Sequence, residues 1–183
     1  MFIMIKDFQQ LLKDKNIQFY IVPTDDDHQS ETVGDYYQAR AYLSGFTGSA
    51  GTLLVMQDEA YLWTDGRYFI QAAKELYEGI TLMKSGQKGV PTLLEFLKDH
   101  VQKQDTIAFD GQTMTCQFVL DMEKEIQVPY HIECIDLMED YWKDRPQRSC
   151  EKAFLYDIQY HGLSTHQKIE KIVDVMKEHH CDA

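Results

Sequence analysis

The chain has 183 residues, 44% of them hydrophobic and 12% aromatic, enough for one core of ordinary size and too apolar for a disordered chain. A formal net charge of -12 with no basic cluster repels a phosphate backbone, so nucleic acid is not an expected partner. No apolar run approaches the ~18 residues a membrane span needs, and the opening Met1-Phe2-Ile3-Met4-Ile5-Lys6-Asp7 lacks the basic flank of a secretory signal, so no membrane is expected either.

In chain order, Ile5, Phe8, Leu11 and Leu12 lie on one face of a helix predicted over Ile3 to Asp14. Ile17 to Val22 follow as a buried strand, stopped by Pro23. Asp25-Asp26-Asp27-His28-Gln29-Ser30-Glu31 is the most polar run in the first half. Its acids and histidine invite a metal reading, but consecutive residues cannot all turn toward one ion, and a solvated loop suits them better. A loop just past a strand end is nevertheless where α/β sheets place function. Tyr36 to Leu43 read as a short helical stretch.

The stretch from Arg40 to Phe69 organises the rest. A turn spaced G-x-x-G-x-x-G (Gly45, Gly48, Gly51) delivers two short strands, Thr52 to Met56 and Ala60 to Thr64, across a polar break. The dinucleotide spacing is G-x-G-x-x-G, and a phosphate loop opens a helix where this turn feeds a strand, so the glycines are assigned to a crowded turn. Asp65-Gly66 ends the second strand. Asp65 stands where the N-cap of a helix from Arg67 to Tyr77 would be. That helix is expected to bury Phe69, Ile70, Ala73 and Leu76 and to end at Gly79. Arg67, a cation in the first helical turn, opposes the helix dipole and requires a carboxylate or a ligand.

Ile80 to Met83 form the next strand. Pro91 opens a helix whose apolar face is Leu93, Leu94, Phe96, Leu97 and Val101. Ile107 to Phe109 make a strand closed by Asp110-Gly111, Thr115 to Glu125 a helix, Tyr130 to Ile135 the last strand, and Leu137 to Trp142 a helical turn. The alternation argues an α/β layer fold, and the tight central hairpin requires an antiparallel pair, so the sheet is mixed. Asp144 to Arg148 form a polar break suited to a domain boundary. Beyond it, Phe154 to Ile158 read as a strand, and the capping box Ser164-x-x-Gln167 opens a helix with Ile169, Ile172, Val173 and Met176 on one face. His179, His180 and Cys181 follow, assigned to a frayed end, since neighbours on a helix diverge by about 100° and do not share an ion easily. Cys116, Cys134, Cys150 and Cys181 lie far apart without a C-x-x-C pair, as reduced thiols in a cytoplasmic protein would.

Four ordered blocks carry a resemblance: Pro23-Thr24-Asp25-Asp26-Asp27-His28-Gln29-Ser30-Glu31, Ser44-Gly45-Phe46-Thr47-Gly48-Ser49-Ala50-Gly51-Thr52, Trp63-Thr64-Asp65-Gly66-Arg67-Tyr68-Phe69, and Trp142-Lys143-Asp144-Arg145-Pro146. Together they resemble the N-terminal domain of aminopeptidase P, the Xaa-Pro aminopeptidase branch of the creatinase and prolidase superfamily. The resemblance implies a three-layer α/β/α domain with a mixed β-sheet and a ribonuclease H-like motif over residues 1–145. Residues 146–183 would be a linker and the first elements of a truncated second domain. It further implies that the parent enzyme releases the residue before a proline with two divalent metal ions, manganese or zinc, held by a C-terminal domain. None of that domain's ligand motifs has a counterpart here, so this chain is expected to hold no catalytic residue or metal and to cut no peptide alone.

By the same analogy the chain packs against its own catalytic domain and a neighbouring subunit, as in a homodimer, and limits access for peptides with proline at the second position. His28, Glu31 and Arg67 are then the candidates to face the substrate channel, while Gly45, Gly48, Gly51, Asp65 and Gly66 build turns and caps. Two alternatives stand beside this one. The chain could be a stand-alone α/β module that takes a small ligand or partner at the Gly45 to Gly51 turn, or the N-terminal domain of a prolidase or creatinase relative.

Overall fold

A computed structural model describes residues 2–181. Six strands, β1 (Phe19–Val22), β2 (Thr52–Met56), β3 (Ala60–Thr64), β4 (Thr81–Lys84), β5 (Thr106–Phe109) and β6 (His131–Cys134), form one sheet in the order β4-β3-β2-β1-β5-β6. Only β2 is antiparallel to its neighbours, with Val22 opposite Leu53 on one side and Thr52 opposite Trp63 on the other. The remaining pairs are parallel, so five strands point the same way.

Strand alternation divides the core into two layers. Tyr20, Val22, Leu53, Val55, Leu62 and Ala108 face one side, packed against Ile5, Phe8 and Leu12 of α1 (Phe2–Asp14), Leu43 of α2 (Ala39–Ser44) and Ala72 of α3 (Phe69–Glu75). Phe19, Ile21, Leu54, Trp63, Ile107 and Phe109 face the other, against Phe96 and Leu97 of α4 (Leu93–His100) and Met122 of α5 (Cys116–Glu125). Each large apolar side chain removed from water in this way contributes about 1.5–3 kcal/mol. Thr92 and Glu95 exchange the two hydrogen bonds of a capping box at the start of α4. The result is the α/β layer fold with a mixed sheet that the alternation of elements and the tight hairpin predict, in the three-layer α/β/α form that the resemblance implies. A last short helix, α6 (Met138–Tyr141), closes the layer of α1.

Two expectations are corrected. The helix predicted from Arg67 begins at Phe69, and its inward residues are Tyr68, Ala72 and Leu76, four apart, while Ile70 is 76% exposed. Two turns of helix present one narrow stripe to the sheet, and starting two residues later turns that stripe away from Ile70 and Ala73. Phe154 to Ile158 form no strand. Phe154 and Leu155 are exposed, and a strand needs a ladder partner that this segment lacks.

The chain divides into two units, Met1–Arg148 and Ser149–Ala183. The second comprises α7 (Ile158–His161) and α8 (Thr165–Glu178), the latter opened by the predicted capping box of Ser164 and Gln167. His179 is the C-cap residue of α8, and Asp182 and Ala183 lie outside the described residues.

Candidate functional site

Because five strands share a direction, their carboxyl ends gather at one edge of the sheet, where open α/β sheets place ligands. β1 leaves there through Pro23 and Thr24, β3 through Asp65, β5 through Asp110. The reversed β2 enters at the same edge through the Gly45 to Gly51 turn. A cleft of about 460 Å³ lies between the loops that follow β1 and β3 and the glycine turn, with Thr24, Asp25, Glu31, Ser49, Gly51 and Arg67 among its lining residues.

The glycine turn is held from two sides. Arg40, 2% exposed, donates from Nη1 to the carbonyl of Phe46 (3.0 Å) and from Nη2 to that of Gly48 (2.5 Å), with its guanidinium 4.7 Å from the centre of the Phe46 ring. Burial pulls this guanidinium down to about 10, a shift that the charge of Glu75 partly offsets. On the outer side, Glu75 Oε2 accepts from the Thr47 amide (2.8 Å) and hydroxyl (3.0 Å), and the Thr47 amide holds its carboxyl below the usual range. The Phe46 amide donates to Ser44 Oγ. The amides of Gly45, Phe46 and Thr47 are thus engaged inside the fold, by the Ala41 carbonyl, Ser44 Oγ and Glu75.

Gly45 has φ +77°, and a Cβ there would stand 2.6 Å from the Glu75 carbonyl oxygen. Gly48 is required by packing, since a Cβ would lie 2.3 Å from Phe46 Cζ and 2.8 Å from Tyr68 Cδ1. At Gly51 the Trp63 carbonyl oxygen is 2.9 Å away, whereas Gly66 has room for a Cβ. Gly66 is therefore not a steric necessity. Thr24, which lines the cleft, and the buried Thr64 at the end of β3 hold the turn, donating to the carbonyls of Gly51 and Ala50 at 2.6 Å each.

Asp65 does not cap a helix. Its Oδ1 accepts from the backbone amide of Arg67 (3.0 Å) and from Arg67 Nε (2.9 Å), and its Oδ2 from Nη2 (2.8 Å). The α3 N-cap is Tyr68, without a side-chain bond. Arg67 thus finds its carboxylate two residues upstream, and the two-pronged pairing outcompetes a cap. This pair lowers the Asp65 carboxyl and raises the Arg67 guanidinium, with the charge of Glu31 adding to the latter. Glu31 and Arg67 line the same cleft. His28 does not: its ring is 81% exposed and pairs through Nδ1 with Asp27 at 2.7 Å.

A family model described as the Creatinase/Prolidase N-terminal domain matches residues 4–145. The chain belongs to that family. Aminopeptidase P2 of Arabidopsis thaliana is 38% identical over 158 residues, which is 84% of this chain and 22% of that protein. A crystal structure of X-prolyl aminopeptidase from Caenorhabditis elegans, described as a cytosolic enzyme with a di-nuclear active site, superposes with TM-score 0.72 at 32% identity, covering 91% of this chain and 28% of that one. The N-terminal domain of the cytoplasmic peptidase PepQ from Mycobacterium tuberculosis shares the fold (TM-score 0.55, 20% identity), covering 75% of this chain and 97% of that one. The chain spans from 22% to 31% of the length of the curated relatives it matches.

Within this creatinase-type domain, Asp26, Asp27 and His28 are the group of ligand atoms, among the described residues, close enough to surround an ion. Several of these atoms already make bonds within the protein. Asp26 Oδ1 accepts from the amides of His28 and Ser30, both at 2.9 Å, which lowers its carboxyl. Asp27 is lowered first by the Tyr37 hydroxyl and then by His28 and Arg148. Asp26 thus closes its own loop, and Asp27 is tied to neighbouring side chains. The residues that sequence reasoning passed over are Arg40, which carries no motif of its own, and the pair Tyr36 and Arg148. An arginine inside an otherwise apolar helical turn ahead of three glycines is the available signal.

Proposed function

We propose that this chain is the N-terminal domain of a metal-dependent Xaa-Pro aminopeptidase, and that it borders the entrance to an active site whose metal ions, manganese or zinc, are held by residues outside it. It packs against its own catalytic domain and a neighbouring subunit of a homodimer. Residues 1–145 form the domain, and 146–183 are a linker with the opening helices of a second one. What supports this is the cleft itself: a cation and an anion, Arg67 and Glu31, share one polar opening at the carboxyl edge of the sheet in a chain whose curated relatives include proteins named Xaa-Pro aminopeptidase. With its Nε and Nη2 held by Asp65, Arg67 offers its Nη1 side to a peptide carbonyl or carboxylate, and Glu31 offers an acceptor to its amine. His28 stands on the same loop as a rim residue of that channel.

In a full-length enzyme carrying this segment, Arg67→Ala lowers kcat/KM on Xaa-Pro peptides at least tenfold. An unchanged kcat/KM removes the channel role. The 183-residue chain itself releases no amino acid from such peptides with added manganese or zinc, and turnover by it overturns the division of labour.

A further inference from the structure

The Asp144-Arg145-Pro146 block has no part in the cleft, yet Arg145 is among the best-enclosed charges of the domain, with 8% of its side chain exposed. Its Nη1 meets Asp136 Oδ2 at 2.5 Å, just beyond the end of β6. Its Nε donates to the backbone carbonyl of Tyr36 at 2.8 Å, and its guanidinium carbon lies 3.7 Å from the centre of the Tyr36 ring. The fork and the flat face of one side chain therefore act in two directions at once, which a lysine cannot reproduce.

From Tyr36 the contacts continue toward the cleft. Arg148 stands 4.6 Å from the Tyr36 ring centre and 5.2 Å from that of Tyr37, and bonds Gln112. The Tyr37 hydroxyl bonds Asp27, and burial together with that bond pushes Tyr37 up to about 12. Asp27 is the neighbour of Asp26, whose carboxylate closes the turn over His28 and Ser30. Beyond the end of β1, residues 24–37 have no strand partner and a single 3-10 turn at Asp35–Tyr37, so side-chain contacts hold them: these at the Tyr36 end, beside the bonds of Thr24 to the Gly51 carbonyl, Gln29 to that of Thr113 and Gln38 to that of Val33.

We infer that Arg145 is a positioning residue for the cleft: it pins Tyr36 to Asp136, and through Tyr36 and Tyr37 holds the 24–37 loop that presents Glu31 opposite Arg67. The inference deepens the cleft reading, but it is read from loop order and not from turnover, so its failure leaves that reading standing.

Backbone ¹⁵N relaxation of the 183-residue chain tests it. In Arg145→Met, order parameters of residues 26–37 fall from about 0.85 to below about 0.6, while those of β2 and β3 stay at the rigid value. Arg145→Lys keeps the charge opposite Asp136 and shows the same loosening. Tyr36→Ala, which leaves the Asp136 pair in place, loosens the same residues and decides the matter if Arg145→Met does not fold. Unchanged order in residues 26–37, a loss spread evenly over the sheet, or restoration of the loop by lysine each overturns the assignment.

Discussion

Arg40 of α2 and Gly48 are joined by a 2.5 Å hydrogen bond from a buried guanidinium to a backbone carbonyl, inside a turn with no strand or helix of its own. Among the described residues no carboxylate forms an ion pair with this cation; two carbonyls and the Phe46 ring receive it instead. Arg40→Met leaves both carbonyls without donors at about 1–3 kcal/mol each, partly offset by relief of the buried charge. A net loss of about 2–4 kcal/mol follows, seen as a lower urea midpoint at unchanged slope. Arg40→Lys does not restore it, having no fork. An unchanged midpoint in both variants contradicts this account.

Gly45 and Gly66 stand at opposite extremes of tolerance. Gly45→Ala combines a left-handed backbone with a Cβ against the Glu75 carbonyl and costs about 2–4 kcal/mol. Gly66→Ala meets only Phe69 Cε2 at 3.9 Å and changes stability by less than about 0.5 kcal/mol. Paired denaturation curves distinguish them, and equal losses would mean that the turn yields where the backbone says it cannot.

Arg67→Ala breaks an exposed pair and leaves the melting temperature of the isolated chain where it was. A substantial drop would make Arg67 a structural residue and would remove the meaning of any kinetic effect in a longer enzyme.

The pH dependence of the 26–30 turn has a definite sign. The amides of Ser30 and His28 hold the Asp26 carboxyl below its unfolded value of about 3.9, so its contribution is complete above that value and is lost as pH falls through the lower, folded one. The Ser30 amide resonance, followed from pH 6 to pH 2, keeps its folded position through pH 4 and moves below it. Asp26→Asn abolishes this step. A midpoint at or above the ordinary carboxylate value shows that the turn does not depend on that charge.

Most of the fold is legible because each strand is a short apolar run with a turn former at its end. β1 to Pro23, β3 to Asp65-Gly66 and β5 to Asp110-Gly111 all stop where those residues stand. The helix start after Asp65 was not readable, since a nearby guanidinium and the free amides of a helix compete for one carboxylate, and only geometry shows that Arg67 wins. Phe154 to Ile158 carry strand-forming residues without a strand, because propensity says nothing of whether an edge is in reach. Within the cleft, Glu31 and Arg67 could be nominated from their blocks. Arg40 and the Tyr36–Arg145 contact could not, because both act on backbone carbonyls, which leave no trace in a string of side chains.

The central position of β1 imposes an order of events during synthesis. Its partner β2 follows within some thirty residues, but β5, which covers its other edge, emerges only after Thr106 has left the ribosome. Until then an apolar strand, Phe19–Val22, keeps one row of amides and carbonyls open to any passing strand, so the interval between the synthesis of Val22 and that of Thr106 is when this strand is most exposed to association.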